Sequence, residues 1–393
     1  MISMGSPEAG SPAAQRILRD GVELRWANFR ESMPHQQPPY AKRNWGSPLH
    51  SLCSYQGKLK PSLAHHLVET FSRPGDLVVD PFSGAGTVPF EACRTGREGF
   101  GIDIAALGYI LTRAKVSRSN PAVLESVIRD LEHLLEHGEP TNEELNSARA
   151  VSFNSSIPDY FHPSTLREVL LSRRYLIQNW AKSNEWALVY ACCLHILHGN
   201  RPYALSRRSH PITPFAPTGP SEYRALAPRL RAKINRALAE HDADFKSGGA
   251  FMADCASPWN LPRRADAVIT SPPFFDSTRF YMTNWMRYWF TGWERDDFDN
   301  GVARFFETRQ RQSLDVYSTF FDAAHEAMKP GAHLVLHLGL SKRCDMAKEI
   351  GSRVPSGFEQ VDAFYEAVEH CESHGVSDKG TVKGHSYLVL RRL

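Results

Sequence analysis

The segment Asp76-Leu-Val-Val-Asp80-Pro-Phe-Ser-Gly-Ala-Gly86-Thr87 decides the fold of this 393-residue chain. Residues 76–80 form a short apolar strand of the type that is buried on both faces. The strand runs into a glycine-rich turn, and Thr87 is a suitable cap for a following helix. Residues 99–104 are typical of a second strand, with the acid Asp103 near its end. Strand, glycine-rich turn, helix and acid-ending strand form a βαβ unit, so we predict an α/β fold with a Rossmann-like sheet.

Strands and helices alternate again in the last third of the chain. Residues 265–270 and 333–338 are predicted strands, and two further strands, over 358–368 and 385–392, are expected to pair antiparallel and close the sheet. Between the two α/β parts the pattern is mostly helical and includes a proline-rich loop at 201–220. The predicted organisation is a disordered tail over 1–24, an α/β domain over 25–104 and 248–393, and a helical insertion over 105–247.

The composition excludes several classes of protein. Hydrophobic residues make up 42% of the chain and charged residues 23%, which excludes wholesale disorder. No run of about 18 apolar residues exists, which excludes a spanning helix. The longest apolar stretch, residues 186–198, is predicted to be a buried core helix. The first residues lack the basic-then-apolar pattern of a secretory signal, so we expect a cytoplasmic protein.

Cysteine and histidine spacing gives no sign of a metal site. The seven cysteines include no Cys-x-x-Cys pair, so we expect reduced, buried thiols, with Cys192 and Cys193 in a core. His65, His66 and His195 fall in helical apolar patterns without metal-ligand spacing around them. We therefore predict no metal.

The glycine-rich turn at residues 83–86 is suited to binding a ligand. Without a Cβ at Gly84 and Gly86, a ligand can approach the backbone closely, and the following helix presents free N–H groups. Asp103, at the end of the next strand, is placed to accept hydrogen bonds from ribose hydroxyls. The turn pattern alone leaves two alternatives open, a nucleoside-type cofactor or an ordinary strand-to-helix turn.

A second chemical segment, Ser271-Pro-Pro-Phe274, follows the predicted strand at 265–270. Open α/β sheets place their active sites at the carboxyl ends of such strands, and two prolines fix the backbone and remove two N–H donors. The Ser271 hydroxyl and the Pro272 carbonyl could accept both protons of an exocyclic amine, and Phe274 could stack on a base taken out of a duplex. In isolation the same four residues are also typical of a proline turn that ends a strand.

Taken together and in this order, these segments resemble the amino-group DNA methyltransferases that use S-adenosylmethionine. The resemblance rests on Tyr55-Gln-Gly-Lys58, on PGDLVVDPFSGAGTVPFEA, on Ser271-Pro-Pro-Phe274 and on the downstream residues 284–292. The cofactor-binding residues that it implies are Tyr55, Lys58, Asp80, Phe82, Ser83, Gly84, Gly86, Thr87, Asp103 and Asp254. In the family Asp103 would bind the ribose and Asp254 would face the adenine. The implied catalytic residues are Ser271, Pro272, Pro273 and Phe274.

The spelling of the second segment bears on the base that is methylated. S-P-P-[YF] resembles the N4-cytosine enzymes, whereas adenine-N6 enzymes more often carry Asp or Asn first. A C5-cytosine enzyme needs a cysteine after a proline, and no Pro-Cys dipeptide occurs. The resemblance implies direct transfer to the N4 amine of a flipped cytosine, in a restriction–modification context. Adenine-N6 methylation, methylation of an RNA base amine, and a non-catalytic nucleic-acid-binding protein remain alternatives.

The order of the segments and one basic stretch suggest where the target is recognised. The cofactor segment comes first, and residues 87–270 separate it from the second segment, which fits a target-recognition region in the insertion. Residues 201–236 hold eight Lys or Arg and one acid, against a net charge of +3 for the whole chain. Such a stretch suits phosphate and guanine contacts, although it also fits a solvated helix face balanced by nearby acids. The predicted DNA-contacting residues are Arg201, Arg207, Arg208, Arg224 and Arg231. Double-stranded DNA is the expected partner, a cognate restriction endonuclease is a possible one, and monomer and homodimer are both left open.

Overall fold

The computed structural model describes most of the chain. The described residues are 12–42, 45–239, 244–276, 280–367 and 382–393, without the side chains of 12–20 and 382. Its seven strands are β1 Leu77–Asp80, β2 Glu98–Asp103, β3 Gly249–Met252, β4 Ala265–Thr270, β5 Met328–Ser341, β6 Phe358–Ala367 and β7 Val382–Arg392. The α-helices are α1 Pro12–Ser32, α2 Pro61–Phe71, α3 Thr87–Arg94, α4 Ala106–Lys115, α5 Pro121–His137, α6 Asn142–Ala150, α7 Pro163–Asn179, α8 Asn184–Ile196, α9 Leu226–Ala237, α10 Phe280–Thr283, α11 Trp285–Phe290, α12 Arg295–Asn300, α13 Phe306–Gln312, α14 Val316–Ala327 and α15 Met346–Gly351. Short 3₁₀ helices span Pro34–Gln36, Pro48–Ser51, Ile157–Tyr160 and Gly301–Arg304.

One seven-stranded sheet organises the fold. Its strand order is β3-β2-β1-β4-β5-β7-β6, with β1 to β5 parallel and β7 antiparallel to both of its neighbours. This confirms the predicted α/β sheet with antiparallel C-terminal strands. Because β1 lies between β2 and β4, the turns that follow these three strands meet at one edge of the sheet.

The sheet is covered on both faces, as its apolar strands require. On one face Val78 of β1 and Ile269 of β4 pack with Leu67 and Val68 of α2. On the other face the alternating neighbours of these strand residues pack with Phe320 and Phe321 of α14. The two core layers hold the strand ends in fixed positions beneath the site.

The predicted helical insertion has a large core of its own. Helix α8 is buried along nearly its whole length, and Cys192 and Cys193 lie within it as predicted. Trp285, Trp289 and Phe290 of α11 pack in the same core. Helix α4 packs against α8 in this core and also against β2 and β3, so it joins the helical region to the sheet. The division into domains at 105 and 247 remains a prediction.

The predicted disordered tail over residues 1–24 is wrong from residue 12 onward, because α1 begins there. Trp26 and Phe29 are each only 3% exposed, and Trp26 donates its ring N–H to Asp362 of β6 at 2.7 Å. The Gly, Ser and Pro bias on which the prediction rested ends near residue 13. The contact that holds the helix joins residues 336 apart, so no local pattern reveals it. Residues 1–11 lie outside the described residues.

One strand of the sheet was not predicted, and one prediction extends past the described residues. The unpredicted strand is β3, which forms the edge of the sheet beside β2. The predicted strand over 358–368 matches β6, except that residue 368 lies outside the described part of the chain. Among the helices of the described residues, none has the length and apolar character needed to cross a membrane.

Candidate cofactor and substrate site

A cleft opens at the carboxyl ends of β1, β2 and β4. Its empty volume is about 880 Å³, open solvent included. Nine of the ten predicted cofactor-binding residues line it, namely Tyr55, Lys58, Asp80, Phe82, Ser83, Gly84, Thr87, Asp103 and Asp254. Ser271 and Pro273 of the second segment line the same cleft. Tyr55 and Pro273, 218 residues apart in sequence, are thus brought to one cavity.

The two glycines of the turn have different roles. Gly84 has a φ of +46° and faces the cleft, and a Cβ on it would lie 3.3 Å from the Tyr55 ring. Gly86 has a φ of +68°, immediately precedes α3, and does not line the cleft. A Cβ on Gly86 would lie 2.7 Å from the backbone of Thr112 in α4, which real Cβ atoms do not tolerate. Gly84 therefore keeps space open beside the cleft, while Gly86 allows the turn and α4 to pack closely.

Asp103 is a half-buried carboxylate that stays available for a ligand. Its two oxygens accept backbone N–H bonds from Gly84 at 2.9 Å and Ala105 at 2.8 Å. Burial raises the pKa of Asp103 to about 6, so the carboxylate is mostly ionised at neutral pH. Each carboxylate oxygen accepts more than one hydrogen bond, and the remaining lone pairs suit a pair of ribose hydroxyls.

Asp80 links the turn to the second segment. One of its oxygens accepts the backbone N–H of Phe82 at 3.0 Å and the hydroxyl of Thr270 at 2.5 Å. Burial raises the pKa of Asp80 to about 7. Since Thr270 immediately precedes Ser271, this carboxyl fixes the glycine-rich turn against the end of β4.

Tyr55 and Lys58 close the cleft from the upstream segment. The Tyr55 ring stacks on Phe280 with 6.0 Å between ring centroids, and Phe280 also lines the cleft. The Lys58 ammonium donates to the backbone carbonyl of His50 at 2.8 Å. Aromatic rings, glycine backbone and acidic side chains therefore surround a space that is suited to a nucleoside-containing cofactor.

The sequence did not reveal Arg309 or Glu307, which also line the cleft. Arg309 donates to both oxygens of Asp254 at 2.8 Å, so the acid expected to face the adenine is ion-paired. Glu307 accepts the backbone N–H of Phe280 and fixes that ring beside Tyr55. The segment around α13 has no glycine or proline pattern that signals a site. The role of Asp254 stays a prediction.

The second segment is only partly turned toward the cleft. Ser271 and Pro273 line it, Pro272 is buried, and the Pro273 carbonyl is already occupied by the Gln310 amide at 2.8 Å. The Phe274 ring is half-buried and packs over Gly339, where a Cβ would lie 2.7 Å from the ring. The predicted stacking of Phe274 on a base therefore has to use the part of the ring that remains exposed.

Three of the five predicted DNA-contacting arginines make internal contacts. Arg207 donates to the Gly219 carbonyl, and Arg224 donates to the carbonyls of Ala204 and Ser206. The two guanidinium groups therefore donate their hydrogen bonds to carbonyl groups of the proline-rich loop and stabilise its conformation.

Arg231 is also held within the protein. It forms ion pairs with Glu132 at 2.5 Å and Glu125 at 3.0 Å, both on α5. For Arg231 the alternative of a charge balanced by nearby acids is therefore the one that the contacts favour. Arg201 and Arg208 are exposed, and for these two residues DNA contact stays a prediction.

The proline-rich loop is hydrogen-bonded to α11. The fully buried Arg287 of α11 donates to the carbonyls of Pro211 and Ile212, each at 3.2 Å. Elsewhere in the same loop Arg208 and Phe215 are exposed to solvent, Phe215 to 55%. A basic and an aromatic side chain are thus presented on a fixed loop.

One prediction about histidines needs correction. Ligand atoms of His65, His66 and Glu69 lie within 4.8 Å of one another, so the predicted lack of metal-ligand spacing around these histidines is wrong. His65 is nevertheless engaged, because its ring nitrogens lie 3.3 Å from Glu69 and 3.0 Å from the buried Glu91. Burial lowers the pKa of His65, but the hydrogen bonds to these carboxylates outweigh it and raise the value to about 9. The contacts fit an imidazolium held between two carboxylates.

Comparison with known proteins matches the same part of the chain. A sequence model described as DNA methylase, of the N6 and N4 amino-methyltransferases, matches residues 30–107. The Type II methyltransferase M.MjaII of Methanocaldococcus jannaschii is 26% identical over 83 residues, which are 21% of this chain. The chain spans only 16% of the length of that relative.

Solved structures match the chain at low sequence identity and low TM-score. TrmN from Thermus thermophilus is 14% identical with a TM-score of 0.33, and the match covers 88% of this chain and 52% of TrmN. The rRNA methyltransferase aviRa from Streptomyces viridochromogenes is 11% identical with a TM-score of 0.35, covering 89% and 94% of the two chains. These two similarities carry no argument about the substrate. The match at residues 30–107 confirms the resemblance to amino-group methyltransferases predicted from sequence, and these residues include the glycine-rich turn and Asp103, which line the cleft.

Proposed function

We propose that the chain methylates the exocyclic N4 amine of a flipped cytosine in a specific double-stranded DNA site. The observation that carries the proposal is that Ser271 lines the same cleft as the glycine-rich turn and Asp103. A methyl donor held by the turn would therefore lie within reach of an amine held by Ser271. A restriction–modification context, with a cognate endonuclease as partner, is part of the same proposal.

The cofactor half of the cleft positions the donor. When bound, S-adenosylmethionine supplies a methyl group on a sulfonium that an amine nitrogen can attack. Asp103 would accept the ribose hydroxyls, while Gly84 lets the backbone approach the ligand without a side chain between them. Tyr55 and Phe280, which stack on each other at the cleft, would cover the bound cofactor and exclude water from it. Because no covalent enzyme intermediate is needed, positioning supplies most of the rate.

The substrate half of the cleft prepares the amine. The lone pair of an aromatic exocyclic amine is delocalised into the ring and attacks poorly. If the Ser271 hydroxyl and the Pro272 carbonyl accept the two N–H bonds, the nitrogen becomes more tetrahedral and more nucleophilic. The Pro273 carbonyl already accepts a bond from Gln310, which leaves it one lone pair for any further donor.

Contact with DNA would come from the exposed part of the proline-rich loop. Arg208 suits a phosphate or a guanine edge, and Arg201 adds a second exposed cation nearby in sequence. Because Arg287 fixes the loop to α11, contacts made by the loop would set the position of DNA relative to the cleft.

The test is methyl transfer from labelled S-adenosylmethionine to unmethylated genomic DNA and, in parallel, to total RNA. Products are digested to nucleosides and identified by mass spectrometry, with Ser271→Ala as the comparison. We expect N4-methylcytosine in DNA, lost in the variant. N6-methyladenine would overturn the base assignment, and label only in RNA would overturn the substrate. Absence of label despite cofactor binding would favour a non-catalytic nucleic-acid-binding role.

A further inference from the structure

We propose that His337 is a positioning residue that holds the Ser271 hydroxyl as a hydrogen-bond acceptor toward the substrate amine. This inference rests on the proposed function, because it assigns the partner through which Ser271 acts. It also narrows the substrate class, since a site that only accepts hydrogen bonds selects a group that donates them.

The sheet register places the two side chains together. Strands β4 and β5 run parallel with Thr270 paired to Leu336, so the residues that follow, Ser271 and His337, are neighbours. The Ser271 hydroxyl oxygen lies 3.1 Å from Nδ1 of His337. Ser271 faces the cleft, whereas His337 is only 4% exposed and lies behind it.

The surroundings of His337 are aromatic. Its ring lies 5.7 Å from Phe274, 4.6 Å from His385 and 5.3 Å from Tyr387, measured between ring centroids. Burial lowers the pKa of His337 well below its usual range, with the neighbouring His385 acting in the same direction. The imidazole is therefore neutral, with one nitrogen that donates and one that accepts.

A neutral imidazole solves a problem that serine poses at this position. A hydroxyl can donate or accept a hydrogen bond. If the Ser271 hydroxyl pointed its hydrogen at the amine, that hydrogen would face the amine N–H, and the oxygen could not accept a bond from it. If the Ser271 hydrogen is donated to Nδ1 of His337, the lone pairs of the oxygen remain for the amine. Nδ1 can accept only when the ring proton is on Nε2, an atom that has no hydrogen-bond partner among the described residues. The Ser271–His337 pair then presents the same acceptor character as a carboxylate or amide oxygen.

The kinetic test compares two substitutions that separate hydrogen bonding from packing. His337→Leu keeps most of the side-chain volume but removes the acceptor, while the smaller His337→Asn places an amide oxygen near the position of Nδ1. We expect His337→Leu to lower kcat about 10- to 100-fold with the Kd for S-adenosylmethionine within about twofold, and His337→Asn to recover most of the rate. A purely structural role would give the opposite order, because the smaller side chain leaves the larger cavity.

His333→Leu is the matched control. His333 lies four residues earlier on β5, is 5% exposed, and removing its imidazole disturbs the same strand without touching Ser271. We expect its kcat to stay within about threefold of the unaltered chain. Equal rates for His337→Leu and the unaltered chain, or equal losses in the Leu and Asn variants, would overturn the inference.

A second readout separates this inference from the proposed function. In the unaltered chain labelled with ¹⁵N-histidine, the nitrogen chemical shifts of His337 should show Nε2 protonated and Nδ1 unprotonated. Protonated Nδ1 would overturn the inference whether or not the enzyme is active. If the unaltered chain transfers no methyl to DNA or RNA, the proposed function fails, while the tautomer measurement still decides what His337 does to Ser271.

Discussion

The glycine-rich turn and the basic stretch at residues 201–236 both stand out in the sequence, but they behave differently in the structure. Nine of the ten residues predicted to bind the cofactor, in the turn and in the segments assigned with it, line one cleft. In the basic stretch, three of five predicted arginines are occupied by contacts within the protein. The turn is defined by local backbone geometry, which sequence encodes directly. The use of an arginine depends on which acids and carbonyls the fold brings to it.

The sharpest test of the turn is Gly86→Ala, for which we expect the largest effect. The substitution forces a φ of +68° on a side chain whose Cβ would lie 2.7 Å from the Thr112 backbone. The turn and α4 must move apart, so we expect the affinity for S-adenosylmethionine to fall about 100-fold or more. Isothermal titration calorimetry measures this.

Gly75→Ala is the matched control for Gly86→Ala. Gly75 also has a positive φ, +90°, but a Cβ there would meet no atom within 4 Å. It should cost about 1 kcal/mol of stability from backbone strain and leave cofactor affinity within twofold. Equal losses of affinity in the two variants would mean that close packing at Gly86 is not what shapes the turn.

The pH dependence of cofactor binding tests the role of Asp103, the acid at the end of β2. The pKa of Asp103 is raised by burial to about 6, so the carboxylate proposed to accept the ribose hydroxyls is present above that value and lost as pH falls through it. We expect the affinity for S-adenosylmethionine to drop about tenfold between pH 7.5 and pH 5. Asp103→Asn should bind weakly and lose the part of the profile centred near pH 6, so that only the titration of Asp80, with a pKa of about 7, remains. A profile unchanged by this substitution would remove Asp103 from the binding site.

The two exposed arginines provide a smaller test on the basic stretch. Arg201→Ala combined with Arg208→Ala should weaken DNA binding severalfold. The slope of log Kd against the logarithm of the salt concentration should fall by about two, as expected for the loss of two phosphate contacts. Fluorescence anisotropy over a salt series measures both quantities. Unchanged affinity and salt slope would move the DNA-binding surface away from this loop.

Arg231→Ala is expected to have the smallest effect on DNA binding. Because Arg231 is paired with Glu125 and Glu132, its removal should lower the melting temperature slightly and change the Kd for DNA by less than twofold. A loss of DNA affinity as large as that of the Arg201 and Arg208 variant would show that the ion pairs of Arg231 break when DNA binds. The basic stretch would then contact DNA as predicted from its sequence.

The predictable part of the fold is the part that local chemistry determines. Buried apolar strands and a glycine turn gave β1, α3 and β2, and the prolines after β4 marked the second segment. The predicted cap at Thr87 is wrong, because Gly86 occupies the N-cap position and no side chain caps the helix. Strand β3 was missed because it is a four-residue edge strand that begins with glycine. Helix α1 was missed because its packing depends on Trp26 reaching Asp362 across the fold.

The same limit applies to the site. Asp80, Gly84, Asp103 and Ser271 belong to segments with recognisable local patterns, and all four line the cleft. Arg309 lies on an unremarkable helix and enters the site only because the fold sets it against Asp254. His337 similarly comes next to Ser271 through the pairing of β4 with β5, 66 residues apart, which no pattern around either residue shows.

The central claim is that one cleft holds the cofactor with its turn and the amine with Ser271. The most direct measurement determines cofactor affinity and single-turnover methyl transfer for the unaltered chain and for Ser271→Ala. We predict that the Kd for S-adenosylmethionine stays within about twofold while the rate of transfer to DNA falls about 100-fold or more. A Ser271→Ala variant that transfers methyl groups at the unaltered rate would contradict the account.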